Sequence, residues 1–522
     1  MLQDSRAIRA IDEILRRHPA AWAGVVTAIA LAAAYLSTAA PGITWANDGG
    51  DGGDLVTAVV SSGVPHPSGY PTYLLIGRLF LAWPASDPAA RLTLMSAIPM
   101  ALAGGFLAAL AASGSPGISW RAGVGLAAGL SFGLAPLPWS QAVIAEVHGL
   151  NALFAGLTLV LIARLSSSGP LGWPVTALAV ICGLGLGNHL TFLLMTPPLA
   201  ATMWSRWRVG ERRRITIPAG GFVLGLAVYA LLPLLASRHP PVNWGDASSG
   251  DGFWWLVSGG PYREMVFGLP LEEVPQRAAA WAGLLLRQFG PVGWFLVGAG
   301  LAFGRSRWPW VDRSTLWMAV AYSLFALGYE AGDSSAYLIP AYLGVAWWLA
   351  LGVWAVLTRV ERLRPGSAIF AVALLVLAWV ARLPAIVQQV DARHDRRAVE
   401  YTAQVLHQAP PDALILTSRD HDSFPLWYAQ YGLGRRPDLR LVVVSLGQFD
   451  WYRRGLAYTY PDLSFPPDDV GDAWAWEADL LARNARPVCR TEIVGEDDEL
   501  AVRFHCRPAE IGASQPIGSA GS

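Results

Sequence analysis

Apolar stretches recur eleven times along this chain of 522 residues, and most are long enough to cross a lipid bilayer. A membrane-spanning helix needs about 20 predominantly apolar residues. Charged residues make up only 15% of the chain, against about 25% in a typical soluble domain. The pattern therefore excludes a soluble globule and predicts an α-helical polytopic membrane protein. The predicted spans are 20–40, 91–112, 121–138, 141–163, 173–187, 189–204, 215–236, 280–303, 314–330, 337–357 and 367–382.

Short arginine-rich loops determine the predicted orientation. Residues 205–214 carry five arginines, and loops 305–313 and 359–364 are also rich in arginine. Positively charged loops remain in the cytoplasm. We therefore expect these three loops to be cytoplasmic, together with the N-terminus, residues 1–19.

This orientation places two long loops, residues 41–90 and 237–279, on the outer side of a transmembrane domain that covers residues 20–385. The segment 70–84 is apolar but short and carries Arg78, so we expect it to lie on the outer surface or to re-enter the membrane. The protein is predicted to be a multi-pass protein of a bacterial inner (plasma) membrane. Its formal net charge is zero, so nothing indicates a nucleic-acid partner.

The C-terminal part has a different composition, rich in charge and proline, and is predicted to lie outside the cytoplasm. Residues 413–417 and 439–444 are predicted to form buried strands, with a helix near residues 424–431 between them. We expect a small soluble α/β domain over residues 391–510 and a disordered tail over residues 511–522. In an oxidising compartment, Cys489 and Cys506 can form a disulfide.

The first outer loop holds a notable set of polar residues. Asp48, Asp51 and Asp54 alternate with glycines, and a turn framed by proline and glycine then presents His66, followed by Tyr70. One interpretation is a cation site, because hard cations bind several carboxylates. Another is general-base catalysis by one aspartate that a neighbour orients. A solvated acidic loop without function is the third.

A second set lies near the predicted outer ends of the middle spans. It comprises Gln141, Glu146 and His148, and then Asn188 with His189 in the next outer turn. In a regular helix, Gln141 and His148 share a face that Glu146 does not. Ionisable residues within a membrane are costly and usually functional. The alternative is an intramembrane packing network.

The second outer loop begins with Arg238, an arginine that stands against the positive-inside bias, and continues to Asn243 and Trp244. A guanidinium at this surface can bind a phosphate through paired N–H donors. Acid–base groups and an arginine above an apolar body suit a substrate with a lipid tail and a phosphorylated head. A transporter would place its charges near the bilayer midplane and carry internal repeats, and no convincing repeat is seen.

These segments resemble a known family. Residues 51–58 (DGGDLVTA) and 66–73 (HPSGYPTY) are similar to the D-x-G-E-[LF] and H-P-P-G-Y-P-L-[YF] signature of a family of integral membrane proteins. Its animal member is a protein O-mannosyltransferase of the endoplasmic reticulum with a GT-C fold. Weaker similarities lie at residues 139–141, 146–148, 151–154, 187–189, 243–246 and 420–428.

The resemblance implies a GT-C-like transmembrane domain and an inverting glycosyltransferase. Such an enzyme moves a sugar from a polyprenyl-phosphate donor to an acceptor hydroxyl, on a protein or a lipid. Asp51 would be the base and Asp54 would replace the family's glutamate, while His148 would replace a tyrosine. No cofactor is predicted with certainty: the three aspartates permit a divalent cation, but no second cluster of ligands demands one. A transporter or flippase of a lipid-linked or polar substrate, and a non-catalytic scaffold, remain as alternatives.

Overall fold

The structure is a computed structural model, and it describes residues 18–84, 87–117, 120–166, 173–208, 216–467, 473–495 and 500–507. The predicted N-terminal segment 1–19, apart from its last two residues, and the predicted tail 511–522 lie outside these ranges, as does most of the arginine-rich loop 205–214.

The described chain is mostly helical. Its first helices are α1 (Pro19–Leu36), α2 (Gly52–Ser61), α3 (Pro71–Phe80), α4 (Pro88–Gly114), α5 (Arg121–Gly133), α6 (Pro136–Ala142), α7 (His148–Ser166), α8 (Trp173–Leu186), α9 (Thr196–Arg208), α10 (Thr216–Leu226), α11 (Leu231–Ala236) and α12 (Gly250–Val257). There follow α13 (Val274–Phe303), α14 (Pro309–Gly328), α15 (Ile339–Leu363), α16 (Ala368–Val380), α17 (Leu383–Val390), α18 (Arg397–Gln408), α19 (Asp420–Trp427), α20 (Asp450–Thr459) and α21 (Ala473–Arg483).

Seven helices of the described chain are long and apolar enough to cross a membrane, or eight if the bent pair α5–α6 counts as one span. This confirms the polytopic helical class. The number of eleven spans stays a prediction. Helix α3 has 10 residues and is not among the seven, in keeping with the predicted surface or re-entrant segment.

The chain divides into two compact units. The first contains residues up to Gly42, Tyr70–Leu231 and Gly259–His394. Small residues allow its helices to approach closely: a side chain added at Gly24 of α1 would lie 3.0 Å from the Gly105 carbonyl of α4. Such contacts between small residues are typical of helix packing in membranes.

The second unit contains Ile43–Gly69, Leu232–Ser258 and the chain from Asp395 onward. Parts of both predicted outer loops therefore fold with the C-terminal segment, whereas the sequence assigned them to the transmembrane domain. The physical reason is packing, since α2 lies against α19 of the C-terminal segment.

A four-stranded sheet organises the second unit. Its strands are β1 (Leu414–Thr417), β2 (Arg440–Val443), β3 (Val488–Val494) and β4 (Ala501–Arg507), in the order β2-β1-β3-β4. β1 pairs in parallel with both β2 and β3, and β3 pairs antiparallel with β4. The predicted strand–helix–strand core is confirmed as β1–α19–β2. A disulfide joins Cys489 and Cys506 across β3 and β4.

Candidate active site

The acidic loop of the second unit is a tight turn that leads directly into helix α2. Asn47 and Asp48 adopt left-handed backbone angles, with φ of 58° and 61°, and Asn and Asp tolerate this region better than most residues. Asp51 stands at the N-cap of α2. Local backbone geometry therefore explains part of the Asn/Asp/Gly composition that also permitted a cation site.

Asp395 fixes the start of this loop. Its Oδ2 accepts hydrogen bonds from the backbone N–H groups of Trp45 and Ala46 and from the hydroxyl of Thr44. Burial opposes ionisation, but hydrogen bonds from Arg397 and Thr44 lower the pKa of Asp395 to about 2. An ionised carboxylate thus holds the backbone just before the aspartates.

Gly50 of the loop and Gly53 at the start of α2 allow α19 to approach. A Cβ atom at Gly53 would lie 2.7 Å from the backbone carbonyl atoms of Phe424, and one at Gly50 would lie 3.1 Å from the His421 imidazole. A real Cβ cannot occupy the first position without moving backbone. Glycine at these positions is therefore a requirement of packing, and it brings the first turn of α19 onto the loop that carries Asp51.

Asp54 is the buried centre of the site, with no exposed surface. Its Oδ2 accepts hydrogen bonds from the backbone N–H of His66, at 2.9 Å, and from Nδ1 of the same residue, at 2.7 Å. Its Oδ1 accepts from Nε1 of Trp244, at 3.2 Å. A buried carboxylate saturated in this way orients its neighbours and is not available to a substrate.

His66 joins the buried carboxylate to an accessible one. Its Nε2 lies 3.6 Å from Oδ2 of Asp51, whose side chain is 38% exposed. Burial of the imidazole opposes protonation, but Asp51, Asp54 and Asp420 raise the pKa of His66 to about 10. The imidazolium therefore remains charged at neutral pH, and Asp51 is the carboxylate of this chain of contacts that solvent can reach.

The second outer loop, which belongs to the same unit, packs against Asp54 and His66. Val64 exchanges backbone hydrogen bonds with Val242 and Trp244. Asn243 donates weakly to the carbonyl of Ala236 and to Asp246, so its amide supports the loop. The Trp244 ring, 7% exposed, packs edge-on against His66. Trp244 is thus a support for Asp54 and His66.

The structure brings three residues to this site that were not predicted from the sequence, Asp420, His421 and Asp422. Asp422 is fully buried and accepts hydrogen bonds from the backbone of Arg419 and the hydroxyl of Thr491 on β3. It therefore anchors the start of α19. The DHDSFP segment was noted only for its family resemblance, although two acids and a histidine directly after a predicted strand were a usable signal.

Asp420 behaves differently from Asp422. Protein atoms crowded around its carboxylate and the charge of Asp51 raise the pKa of Asp420 to about 7, although the residue as a whole is exposed. Burial lowers the pKa of the neighbouring His421. Among the described residues, no group of three or more His, Cys, Asp or Glu has an arrangement that could hold a metal ion.

The first unit contains a second group of predicted polar residues, and one expectation about them is wrong. Helix α6 ends at Ala142 and α7 begins at His148, so Gln141 and His148 do not share one regular helical face. Ser96 of α4 stabilises the break, since its hydroxyl bonds both the N–H and the carbonyl of Glu146. Asn188 donates from Nδ2 to the carbonyl of Val147.

An aromatic and imidazole cluster surrounds this break within the first unit. The ring centroids of His148 and His189 are 5.6 Å apart, and Tyr337 lies 6.1 Å and 5.3 Å from them. Tyr70 lies 6.2 Å from His189. Gln141, Glu146, His148, Asn188 and His189 are all buried. The structure thus brings His148, His189 and Tyr70 together.

Arg238 of the second unit is exposed. It follows directly after the apolar segment Pro218–Ala236. No carboxylate of the described chain forms an ion pair with it. The structure therefore leaves its guanidinium available to an anion.

Two segments of the chain match domains of one protein family. Residues 51–212 match the N-terminal domain of the protein O-mannosyl-transferase TMEM260, and residues 398–462 match the TMEM260-associated domain 2. The mouse protein O-mannosyl-transferase TMEM260 is 27% identical over 483 residues, which cover 82% of this chain. The Dictyostelium discoideum tmem260 protein is 26% identical over 226 residues, which cover 39% of this chain. These matches cover 63% and 27% of the respective relatives' lengths.

Two solved structures share the fold. ArnT from Cupriavidus metallidurans bound to undecaprenyl phosphate superposes with a TM-score of 0.56 at 13% identity, covering 92% of this chain and 97% of that one. The same protein in its apo state gives 0.52 at 14% identity with equal coverage. The likeness establishes the fold alone, because the identity is low.

Proposed function

We propose that this chain, which is similar to protein O-mannosyl-transferases of the TMEM260 type and shares the fold of ArnT, transfers a sugar from a polyprenyl-phosphate donor to an acceptor hydroxyl. The observation that carries the proposal is the arrangement of Asp54, His66 and Asp51. A buried carboxylate holds a charged imidazole, which in turn faces an accessible carboxylate. The mouse relative's name and the undecaprenyl phosphate bound to ArnT suggest the substrates.

In this proposal Asp51 is the general base. It takes the proton of the acceptor hydroxyl as the oxygen attacks the anomeric carbon of the sugar, and the bond from that carbon to the phosphate oxygen breaks. The electron pair leaves with the polyprenyl phosphate, and the anomeric configuration inverts. His66 and Asp54 do not react. Asp54 orients His66, and His66 holds Asp51 in position.

We assign the donor's phosphate to Arg238, whose exposed guanidinium follows the apolar segment Pro218–Ala236. Planar guanidinium groups bind phosphates with two parallel hydrogen bonds. Other polar residues selected from the sequence are proposed to contact the substrates or to support those that do. They are Tyr70, Gln141, Glu146, His148, Asn188, His189, Asn243 and Trp244. The acceptor is proposed to be a protein or lipid hydroxyl.

We further propose that the second unit lies outside the cytoplasm of a bacterial inner membrane. Arginine-rich loops on the predicted cytoplasmic side support this orientation. The Cys489–Cys506 disulfide supports it independently, because disulfides persist in oxidising compartments.

Purified protein in nanodiscs tests the activity. The assay supplies radiolabelled polyprenyl-phosphate mannose and deglycosylated membrane proteins, and it measures label that becomes resistant to mild acid. Wild type should transfer label. The rate of transfer by Asp51→Asn should be lower by about a hundredfold or more, as expected for loss of a general base. Asp412→Asn is the matched control, because Asp412 is exposed with φ of 58°, a conformation that asparagine adopts readily.

A thermal melt of each variant distinguishes lost chemistry from lost folding. Transfer at the wild-type rate by a well-folded Asp51→Asn variant would show that Asp51 is not the base. No transfer by wild type, combined with substrate uptake into liposomes, would favour the transporter instead.

A further inference from the structure

Asp420 lies at a point of the sheet where ligands commonly bind. It lies just beyond the carboxyl end of β1, the strand that pairs with β2 on one side and β3 on the other. The chain passes from β1 to β2 and only later to β3, so this end is a topological switch point. In open α/β sheets, such points are where ligands bind.

The docking of α19 brings Asp420 to the acidic loop. The close approaches of His421 to Gly50 and of Phe424 to Gly53 hold the first half of α19 against the residues on either side of Asp51. Asp422 locks that turn through Arg419 and Thr491. These contacts hold the backbone of Asp420 close to the loop that carries Asp51.

The hydrogen bonding of Asp420 contrasts with that of its neighbours. Asp54 and Asp422 each accept from several donors. Asp420 is exposed, and no donor in the described chain hydrogen-bonds its carboxylate. A carboxylate placed beside other carboxylates without a donor costs stability. The N-terminus of α19 favours an acid at this position, whereas the neighbouring carboxylates oppose it.

Negative charges outnumber positive charges around Asp420. Asp51, Asp54 and His66 of the acidic loop and its turn face it, and Asp422 does so from its own helix. His421 is its neighbour in sequence, and Arg397 of α18 faces His421. One imidazolium thus balances several carboxylates. A centre with excess negative charge opposes a phosphate but stabilises a cation.

We propose that Asp420 supplies a second carboxylate to the reaction centre, where it stabilises the positive charge that develops on the sugar as its bond to phosphate breaks. The inference rests on the proposed function. Asp51 takes the proton, Asp420 remains ionised and forms no bond, and the electron pair of the broken bond leaves with the phosphate. Stabilisation that exists only in the transition state raises kcat without tightening substrate binding.

The test is the pH dependence of transfer by full-length protein in nanodiscs, with polyprenyl-phosphate mannose as donor. Since the pKa of Asp420 is about 7, kcat of wild type should rise as the pH passes through 7. Asp420→Asn should lower kcat on the order of a hundredfold and lose this rise. Its KM for the donor should stay constant or fall, because a repulsive charge is removed. Asp420→Glu should restore part of kcat and the rise.

Several outcomes would overturn the inference. They are an unchanged kcat in Asp420→Asn, an unchanged inflection near pH 7, or a rise in KM with constant kcat. Asp412→Asn should behave as wild type. Asp51→Asn separates the two proposals: activity in that variant defeats the proposed function, whereas an inactive Asp51→Asn beside a fully active Asp420→Asn defeats only the role of Asp420.

Discussion

The Nδ1 atom of His66 lies 2.7 Å from Oδ2 of Asp54, a carboxylate with no exposed surface. This ion pair is the internal support of the accessible Asp51. The backbone N–H of His66 and the indole of Trp244 complete the hydrogen bonding of Asp54. The fold and the chemistry of the site therefore depend on one buried group.

Asp54→Asn should destabilise the second unit and abolish transfer. The substitution leaves the charged imidazole without its buried partner, and breaking a buried ion pair costs about 3–5 kcal/mol. Thermal unfolding in detergent should show a lower melting temperature than that of Asp51→Asn, whose side chain is accessible. Equal melting temperatures for the two variants would contradict the supporting role.

Trp244→Phe isolates the indole hydrogen bond. Phenylalanine retains most of the packing against Phe424 and Trp427 but cannot donate to Asp54. A hydrogen bond to a charged group contributes about 1.5–3 kcal/mol. The melting temperature should therefore fall, and the rate of transfer should decrease. Trp474→Phe, at a side chain that is 75% exposed in the same unit, is the control and should leave both unchanged. Equal effects in the two variants would show that the bond is unimportant.

Parts of this structure were predictable because their causes are local. The β-branched runs around Ile415 and Val442 predict strands, and the apolar stretches predict membrane helices. The role of Asp54 was not predictable, because one of its donors, Trp244, is 190 residues away. The break before His148 was missed for the same reason, since Ser96 stabilises it from another helix. Asp420 lies near the acidic loop only because α19 packs on α2, and the sequence alone does not reveal that packing.

Gly53→Ala tests that packing. The new methyl group would lie 2.7 Å from backbone atoms of Phe424, so α19 must move away from α2. We expect lower stability and a loss of transfer. Gly455→Ala is the control, because no atom lies within 4 Å of its added methyl group and alanine in a helix gains roughly 0.5–1 kcal/mol. Full activity of Gly53→Ala would show that the site does not need the close approach.

The stability of the second unit should fall in alkaline solution. Although burial opposes protonation, the surrounding carboxylates raise the pKa of His66 to about 10, against about 6.5 in an unfolded chain. The folded protein therefore retains a proton that the unfolded chain loses above pH 6.5. This contribution is complete below pH 6.5 and disappears as the pH rises through 10.

Melting temperatures measured from pH 7.5 to 10 should therefore decrease more steeply for wild type than for His66→Gln. In this range Asp420 is largely ionised and contributes little to the slope. Parallel slopes would mean that the imidazole is neutral in the folded protein.

Cysteine labelling tests the proposed orientation. The free cysteine of the described chain, Cys182, is buried, and the other two form the disulfide, so wild type should resist a membrane-impermeant maleimide. Ser418→Cys introduces an exposed thiol in the second unit, and Arg305→Cys introduces one in a predicted cytoplasmic loop. Intact spheroplasts should label the first variant and protect the second, whereas lysed membranes should label both. The opposite pattern would invert the orientation, because the arginine-rich loops would then lie outside.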